Sequence, residues 1–238
     1  MHLIGLDVGT TGCKAVVFDP QGVAKGSGFR EYGIIADEPK KAEQDADMIW
    51  RLTLEVLRDA VSDAVSSSVA SADIRALSLS VQGDAIIPVD GDAIPVHNAV
   101  LGMDYRSALQ ADECAARWGD RELFKLTGMR SHPINSLTKM LWLKTERPDA
   151  YRQAKRITTY ADYILMRLGA PPVIDHTMAS RTMAFDLAER KWSDEILGGL
   201  GIDPGLMSDS VPSGTVVGTM SPAVASFVGV SEQVALVT

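Results

Sequence analysis

Apolar positions recur along the chain with two different periods. Leu3 to Val8 is a short apolar run closed by Gly9, which predicts a buried strand. Ala15-Val16-Val17-Phe18 predicts a second strand, ended by the turn Asp19-Pro20-Gln21-Gly22. Val23 to Tyr32 predicts a third and more polar strand, and the tight connections make the three a meander. Trp50, Leu54, Leu57, Val61 and Val65 then follow helical spacing, one face of an amphipathic helix over 46–67. Strands are predicted over 74–81 and 85–89, separated by Gln82-Gly83-Asp84.

Beyond Arg106 the pattern is mainly helical, with helices expected over 136–144, 149–155 and 161–168. Gly169-Ala170-Pro171-Pro172 stops the last of these. Residues 175–180 fit neither period and read as an irregular loop. Ser193-Asp194-Glu195 opens a short helix ending near Gly198. Ser221-Pro222 opens another that ends at Gly229, since Ser caps, Pro suits the first turn and Gly suits the exit. Val234 to Val237 is the last expected strand. Strands come first and then mix with helices, an α/β or α+β pattern.

Composition narrows the function classes. The 238 residues are 46% hydrophobic and 23% charged, which suits a packed globular chain and not a disordered one. Lys and Arg number 23 against 31 Asp and Glu, a formal charge of −8 that argues against nucleic acid as the main partner. No apolar run reaches the ~18–20 residues of a membrane span, and the N-terminus lacks the features of a signal peptide. Two cysteines, Cys13 and Cys114, make neither a disulfide framework nor a C-x-x-C motif. The four histidines are scattered, which excludes a Cys/His metal cage. A cytoplasmic chain with free thiols is expected.

The strongest chemical signal is Asp7-Val8-Gly9-Thr10-Thr11-Gly12-Cys13-Lys14. A carboxylate ends the first strand, and a turn rich in glycine and hydroxyls follows. Such a turn exposes backbone N–H groups that cradle phosphate oxygens. The Thr10 and Thr11 hydroxyls add donors, Lys14 adds charge, and Asp7 can hold Mg²⁺ directly or through water. The spacing is neither a P-loop nor a G-x-G-x-x-G fingerprint.

A D-x-G-T-T-x-x-K turn between the first two strands resembles the actin-like, sugar-kinase and heat-shock ATPase superfamily. More narrowly, the whole chain resembles the N-terminal domain of the FGGY carbohydrate kinases, which include xylulokinase, gluconokinase, ribulokinase and glycerol kinase. A second stretch, Ser136-Leu137-Thr138-Lys139-Met140-Leu141-Trp142-Leu143-Lys144-Thr145-Glu146, matches the family's K-φ-x-W-φ signature, where φ is apolar. Ile134 departs from the small or aromatic residue of the pattern. Leu137, Leu141 and Trp142 are expected to be helix core and the signature a family marker.

The resemblance implies a fold and a division of roles. The fold is α/β and ribonuclease H-like (actin-like ATPase superfamily), a mixed sheet flanked by helices. Residues 1–238 form one N-terminal domain that carries sugar binding and the phosphate loop. Asp7, Gly9, Thr10, Thr11 and Lys14 meet phosphate and Mg²⁺, with Asp7 toward the metal. Gln82, Gly83 and Asp84 match the strand-end loop that meets the sugar. Asp104 and Arg106, in Asn98 to Arg106, match a segment near the sugar hydroxyls. His176, in the third matching segment 175–182, is expected at the surface, and His97 and His132 are weak candidates.

The implied reaction is phosphoryl transfer from ATP, with Mg²⁺, to a sugar or polyol hydroxyl. The family's general base is an Asp in a glycine-rich loop that follows a strand like 233–237, about where the sequence stops at Thr238. The ATP-binding C-terminal domain is likewise expected to be missing, so little turnover is expected of this chain alone. Xylulokinases usually carry Met-His where this chain has Gln82-Gly83-Asp84, and glycerol kinases carry an Arg-Glu pair there. A ketopentose such as xylulose is the favoured acceptor, with sugar acids and other polyols open. A cleft face built to meet a second domain makes homo-oligomers possible. Two alternatives stay open: an actin-like ATPase module, and a non-catalytic sugar- or phosphate-binding domain.

Overall fold

A computed structural model describes residues 1–238. Strands β1 (His2–Val8), β2 (Gly12–Phe18) and β3 (Ala24–Glu31) form the expected antiparallel meander. A two-residue strand β4 (Glu43–Gln44) leads into α1 (Ala46–Ser66), whose N-terminus is capped by Asp45 accepting from the Met48 amide at 2.9 Å. Strand β5 (Ile74–Val81) returns parallel to β1, and the β1–α1–β5 path makes a crossover unit.

The helix lies very close to the sheet because β3 carries two glycines beneath it. A Cβ at Gly26 would lie 2.3 Å from the Ala64 amide nitrogen, and one at Gly28 would lie 2.4 Å from the Val56 carbonyl. The contact stripe is Ile49, Trp50, Thr53, Val56, Leu57, Ala60, Val61 and Ala64. Val65, assigned to this stripe by spacing alone, is exposed, because the small Ala64 is what fits against Gly26.

A second layer is built from short pieces. Strands β6 (Ile87–Val89) and β7 (Ala99–Val100) follow, the first shorter than the predicted 85–89 and outside the main sheet. Helices α2 (Ala108–Trp118) and α3 (Asp120–Thr127) are split at Gly119, which has φ +76°. Helices α4 (Ser136–Glu146) and α5 (Pro148–Gln153), strand β8 (Arg156–Thr158) and α6 (Tyr160–Leu168) come next. Then β9 (Val173–Asp175) leads into α7 (His176–Ser180).

Residues 176–180 are therefore helical and not an irregular loop. The Asp175 carboxylate caps the helix by accepting from the amides of Thr177 and Met178. The remaining elements are β10 (Phe185–Asp186), β11 (Lys191–Trp192), α8 (Asp194–Gly199), β12 (Asp209–Val211), β13 (Val216–Thr219), α9 (Pro222–Val228) and β14 (Ala235–Val237).

The main sheet has the order β13-β14-β5-β1-β2-β3, with β14, β5 and β1 parallel. One core joins this sheet to α1, α6 and α9, and a second surrounds α4. The segment after β5 bridges them, since Ala85 packs into the first and Ile86 into the second. That bridge places the Gln82–Asp84 loop at the junction of the two cores.

Candidate functional site

The site forms where β1 and β5 end side by side. Their register pairs Asp7 with Ser80 and Val8 with Val81, and the Gln82 amide donates to the Val8 carbonyl at 2.9 Å. Parallel strands that finish together leave a crevice outside their carboxyl ends, the usual ligand position in an open α/β sheet.

The phosphate turn is a tight hairpin. The Gly9 amide donates to the Gly12 carbonyl at 2.9 Å, and a Cβ on Gly12 would lie 2.6 Å from the Arg30 carbonyl, so only glycine fits there. Tyr32 Oη donates to the Gly9 carbonyl at 2.7 Å, and Gln44 Nε2 donates to the Thr10 carbonyl at 2.7 Å. Gln44 is fully buried and its Oε1 accepts from Gln82 Nε2 at 2.9 Å and from Tyr160 Oη at 3.1 Å. Burial pushes both the Tyr32 and Tyr160 phenols up, which keeps them protonated as donors. With its carbonyls held from below, the turn is braced in one conformation.

Asp7 and Lys14 face each other across the β1–β2 ladder, and both are exposed. With Ser78 and Ser80 they line a shallow cleft of about 400 Å³ on the sheet face opposite α1. A single open carboxylate beside a cradle of amides fits Mg²⁺, which takes one or two protein carboxylates and completes its shell with phosphate and water. No cluster of three or more His, Cys, Asp or Glu exists that could hold a metal by protein groups alone.

The predicted sugar segments do meet, but their charges are used differently. Gly102 packs beneath the first loop: a Cβ there would lie 3.3 Å from Asp84 Cβ and 3.4 Å from the Gly83 carbonyl. Asp104 and Arg106 are bound to each other and to the frame. The buried Asp104 carboxylate accepts from the Ala42 amide at 2.8 Å, the Arg106 amide at 3.0 Å and Arg106 Nε at 3.0 Å. Arg106 Nη2 donates to Glu43 Oε1 at 2.6 Å, and its guanidinium lies over the Trp142 ring at 4.2 Å.

Burial pushes the Glu43 carboxyl up, but donation from Asn98 and Arg106 outweighs it and holds Glu43 below the usual carboxylate range. The geometry turns the Asp104 carboxylate toward the protein, which fills both its oxygens, while Arg106 gives Nε and Nη2 to Asp104 and Glu43 and keeps Nη1 without a protein partner. Gln82 is corrected in part, since its amide nitrogen serves the phosphate turn and Gln44.

Asp84 behaves in the opposite way. It is 4% exposed and has φ +66°, a left-handed backbone that Asp tolerates better than most residues. Its Oδ2 accepts from Arg181 Nη2 at 2.6 Å, while Oδ1 is buried without a partner. Among the histidines, His176 is half-buried against Phe185, His132 is exposed beside Tyr105, and His97 stands 4.0 Å from Glu43.

A match to the model of the FGGY family of carbohydrate kinases, N-terminal domain, runs over residues 2–238. The chain belongs to this family. It is 34% identical over 224 residues to a glycerol kinase of Trichlorobacter lovleyi, covering 91% of this chain and 44% of that protein. It is 28% identical over 233 residues to an autoinducer-2 kinase of Escherichia coli, covering 96% and 43%. A gluconate kinase structure from Lactobacillus acidophilus superposes with a TM-score of 0.91 at 26% identity, over 99% of this chain and 47% of that one. The FGGY chain thus spans less than half the length of the curated relatives it matches. Its fold is the ribonuclease H-like, actin-like ATPase fold expected from the phosphate turn. Family members are ATP-dependent carbohydrate kinases.

Four residues of this FGGY site were not among the site residues expected from the sequence. Glu43 and Gln44 are brought in by β4 pairing with β7, which no local pattern announces. Lys139 is the lysine of the K-φ-x-W-φ signature, which the sequence alone offers only as a family marker. It is fully buried, and its Nζ donates to the Pro133 and Ile134 carbonyls at 2.7 and 2.5 Å. Arg181 is the single cation in the small-residue segment 175–182.

Proposed function

We propose that this chain is the acceptor- and phosphate-binding half of a kinase that phosphorylates a neutral sugar or polyol, with a ketopentose such as xylulose favoured. The observation that carries the reading is the buried, unpartnered Asp84 Oδ1, held beside a braced phosphate turn. An isolated buried acceptor is costly unless a ligand donor completes it. The Asp84–Arg181 pair is neutral overall, which suits a neutral acceptor better than a sugar acid. Arg106 is held by Glu43 and Asp104 and has no charge to spare for a carboxylate ligand.

In this reading the amides of Thr10 and Thr11 and the two threonine hydroxyls receive phosphate oxygens, while the Gly9 amide closes the turn onto the Gly12 carbonyl. Lys14 adds positive charge, and Asp7 takes Mg²⁺ directly or through water. When bound, MgATP supplies the phosphoryl group and the metal neutralises charge on its oxygens. The residues of this chain orient the acceptor hydroxyl at the end of β5 and the phosphates at the end of β1, and positioning of this kind is a large part of such catalysis.

None of Asp7, Asp84 and Asp104 serves as general base: Asp7 is committed to the metal, Asp84 to the acceptor and Asp104 to the frame. The residues 1–238 alone are therefore expected to turn over little or no ATP. The test is ADP formation by the longest product of the reading frame, with and without a panel of neutral polyols and ketopentoses. ADP that appears only with an acceptor supports the kinase. Equal ADP without any acceptor favours an actin-like ATPase instead.

A further inference from the structure

Gly83 leaves room that a distant residue fills. A Cβ at Gly83 would lie 2.6 Å from Arg181 Nε and 3.3 Å from its Cζ. Arg181 follows α7 and reaches back to the 82–84 loop, where Nη2 donates to Asp84 Oδ2. An arginine usually closes both oxygens of a carboxylate through parallel N–H donors. Here one oxygen is closed and the other, Oδ1, is left buried and unpartnered. The guanidinium has five N–H donors, and the protein uses one. The Arg181 side chain is 49% exposed while that of Asp84 is 5% exposed, so the pair presents one edge outward.

We propose that Arg181 is a specificity-determining residue for the acceptor, and that the half-open Asp84–Arg181 pair reads two adjacent hydroxyls. One hydroxyl donates to Asp84 Oδ1 and its neighbour accepts from a free Arg181 N–H. This inference rests on the reading that the 82–84 loop meets the acceptor. It names the ligand class as neutral compounds with a vicinal diol. A carboxylate ligand would set a second negative charge beside the unpartnered Asp84 Oδ1, and this like-charge repulsion disfavours sugar acids.

The test is calorimetric titration of the 238-residue chain with glycerol, 1,3-propanediol, D-xylulose and gluconate. Wild type should bind glycerol and xylulose at least about ten-fold more tightly than 1,3-propanediol, since a site built for a hydroxyl rejects the analogue that lacks it. Arg181→Ala should lose this preference, and Arg181→Lys should keep part of it. Gly83→Ala is a second variant that displaces the guanidinium without removing it, and it should also lose the preference. The same vicinal-diol preference in wild type, Arg181→Ala and Gly83→Ala would overturn the role of Arg181 while leaving the acceptor reading intact. A wild-type chain that binds none of the neutral polyols would overturn the acceptor reading, and this inference with it.

Discussion

Arg106 and Arg181 each meet a buried aspartate beside the same cleft, yet they do opposite work. Arg106 is enclosed: two carboxylates and an indole ring take up its guanidinium, and its side chain is 13% exposed. Arg181 touches a single carboxylate oxygen and leaves most of its donors outward. The contrast separates a charge that holds the frame from one that faces a ligand. A motif-based reading names Arg106 as the ligand residue, because the segment it resembles places an Arg near the sugar hydroxyls. Counting hydrogen bonds names Arg181 instead.

The largest effect should come from breaking the enclosed pair. Arg106→Met strips the cation from Glu43 and Asp104, both buried, and removing one partner of such a cluster costs about 3–5 kcal/mol. Thermal unfolding should show it as a fall in Tm of roughly 10 °C. By contrast Arg181→Ala takes a half-exposed guanidinium from one buried carboxylate instead of two, and should cost less than Arg106→Met. Equal losses for the two variants would erase the distinction.

A smaller effect sharpens the same comparison through Lys139, a third cation near Asp84 and Asp104. Burial pushes its ammonium down to about 7 from the usual 10.5, against the pull of those two carboxylates. The folded state therefore sheds this proton at a lower pH than the unfolded chain. The destabilising cost of burying the charge is full below about pH 7 and fades as pH rises toward 10.5. The stability of wild type relative to Lys139→Met should accordingly rise between pH 7 and 10 in denaturant titrations. A flat difference over that range would mean that the carbonyls of residues 133–135 keep the ammonium at its ordinary pKa.

Much of this architecture was legible in the sequence, for physical reasons that also explain what was not. The β1–β2 meander and α1 could be read because alternation and helical spacing are local properties, and the 7–14 turn because its D-x-G-T-T-x-x-K spacing is contiguous in the sequence. Residues 176–180 were misread because a single Asp175 cap makes a helix too short to show a period. Val65 was placed on the wrong side of α1 because the stripe is set by Gly26 and Gly28 on another strand. Asp104 and Arg106 were assigned to the ligand because their partner Glu43 lies 63 residues from Arg106 in sequence. Arg181 was passed over for the same reason, being 97 residues from Asp84. Side-chain roles set by long-range partners are invisible to local patterns.

The most direct test of the central claim is polyol binding by the Asp84→Ala chain, measured by calorimetry beside a thermal melt. The account predicts that wild type binds a neutral vicinal polyol and that Asp84→Ala weakens it at least about ten-fold while remaining folded, since a hydrogen bond to a charged group has been removed. A folded Asp84→Ala chain that binds the polyol as tightly as wild type would contradict it, and would move the acceptor away from the end of β5.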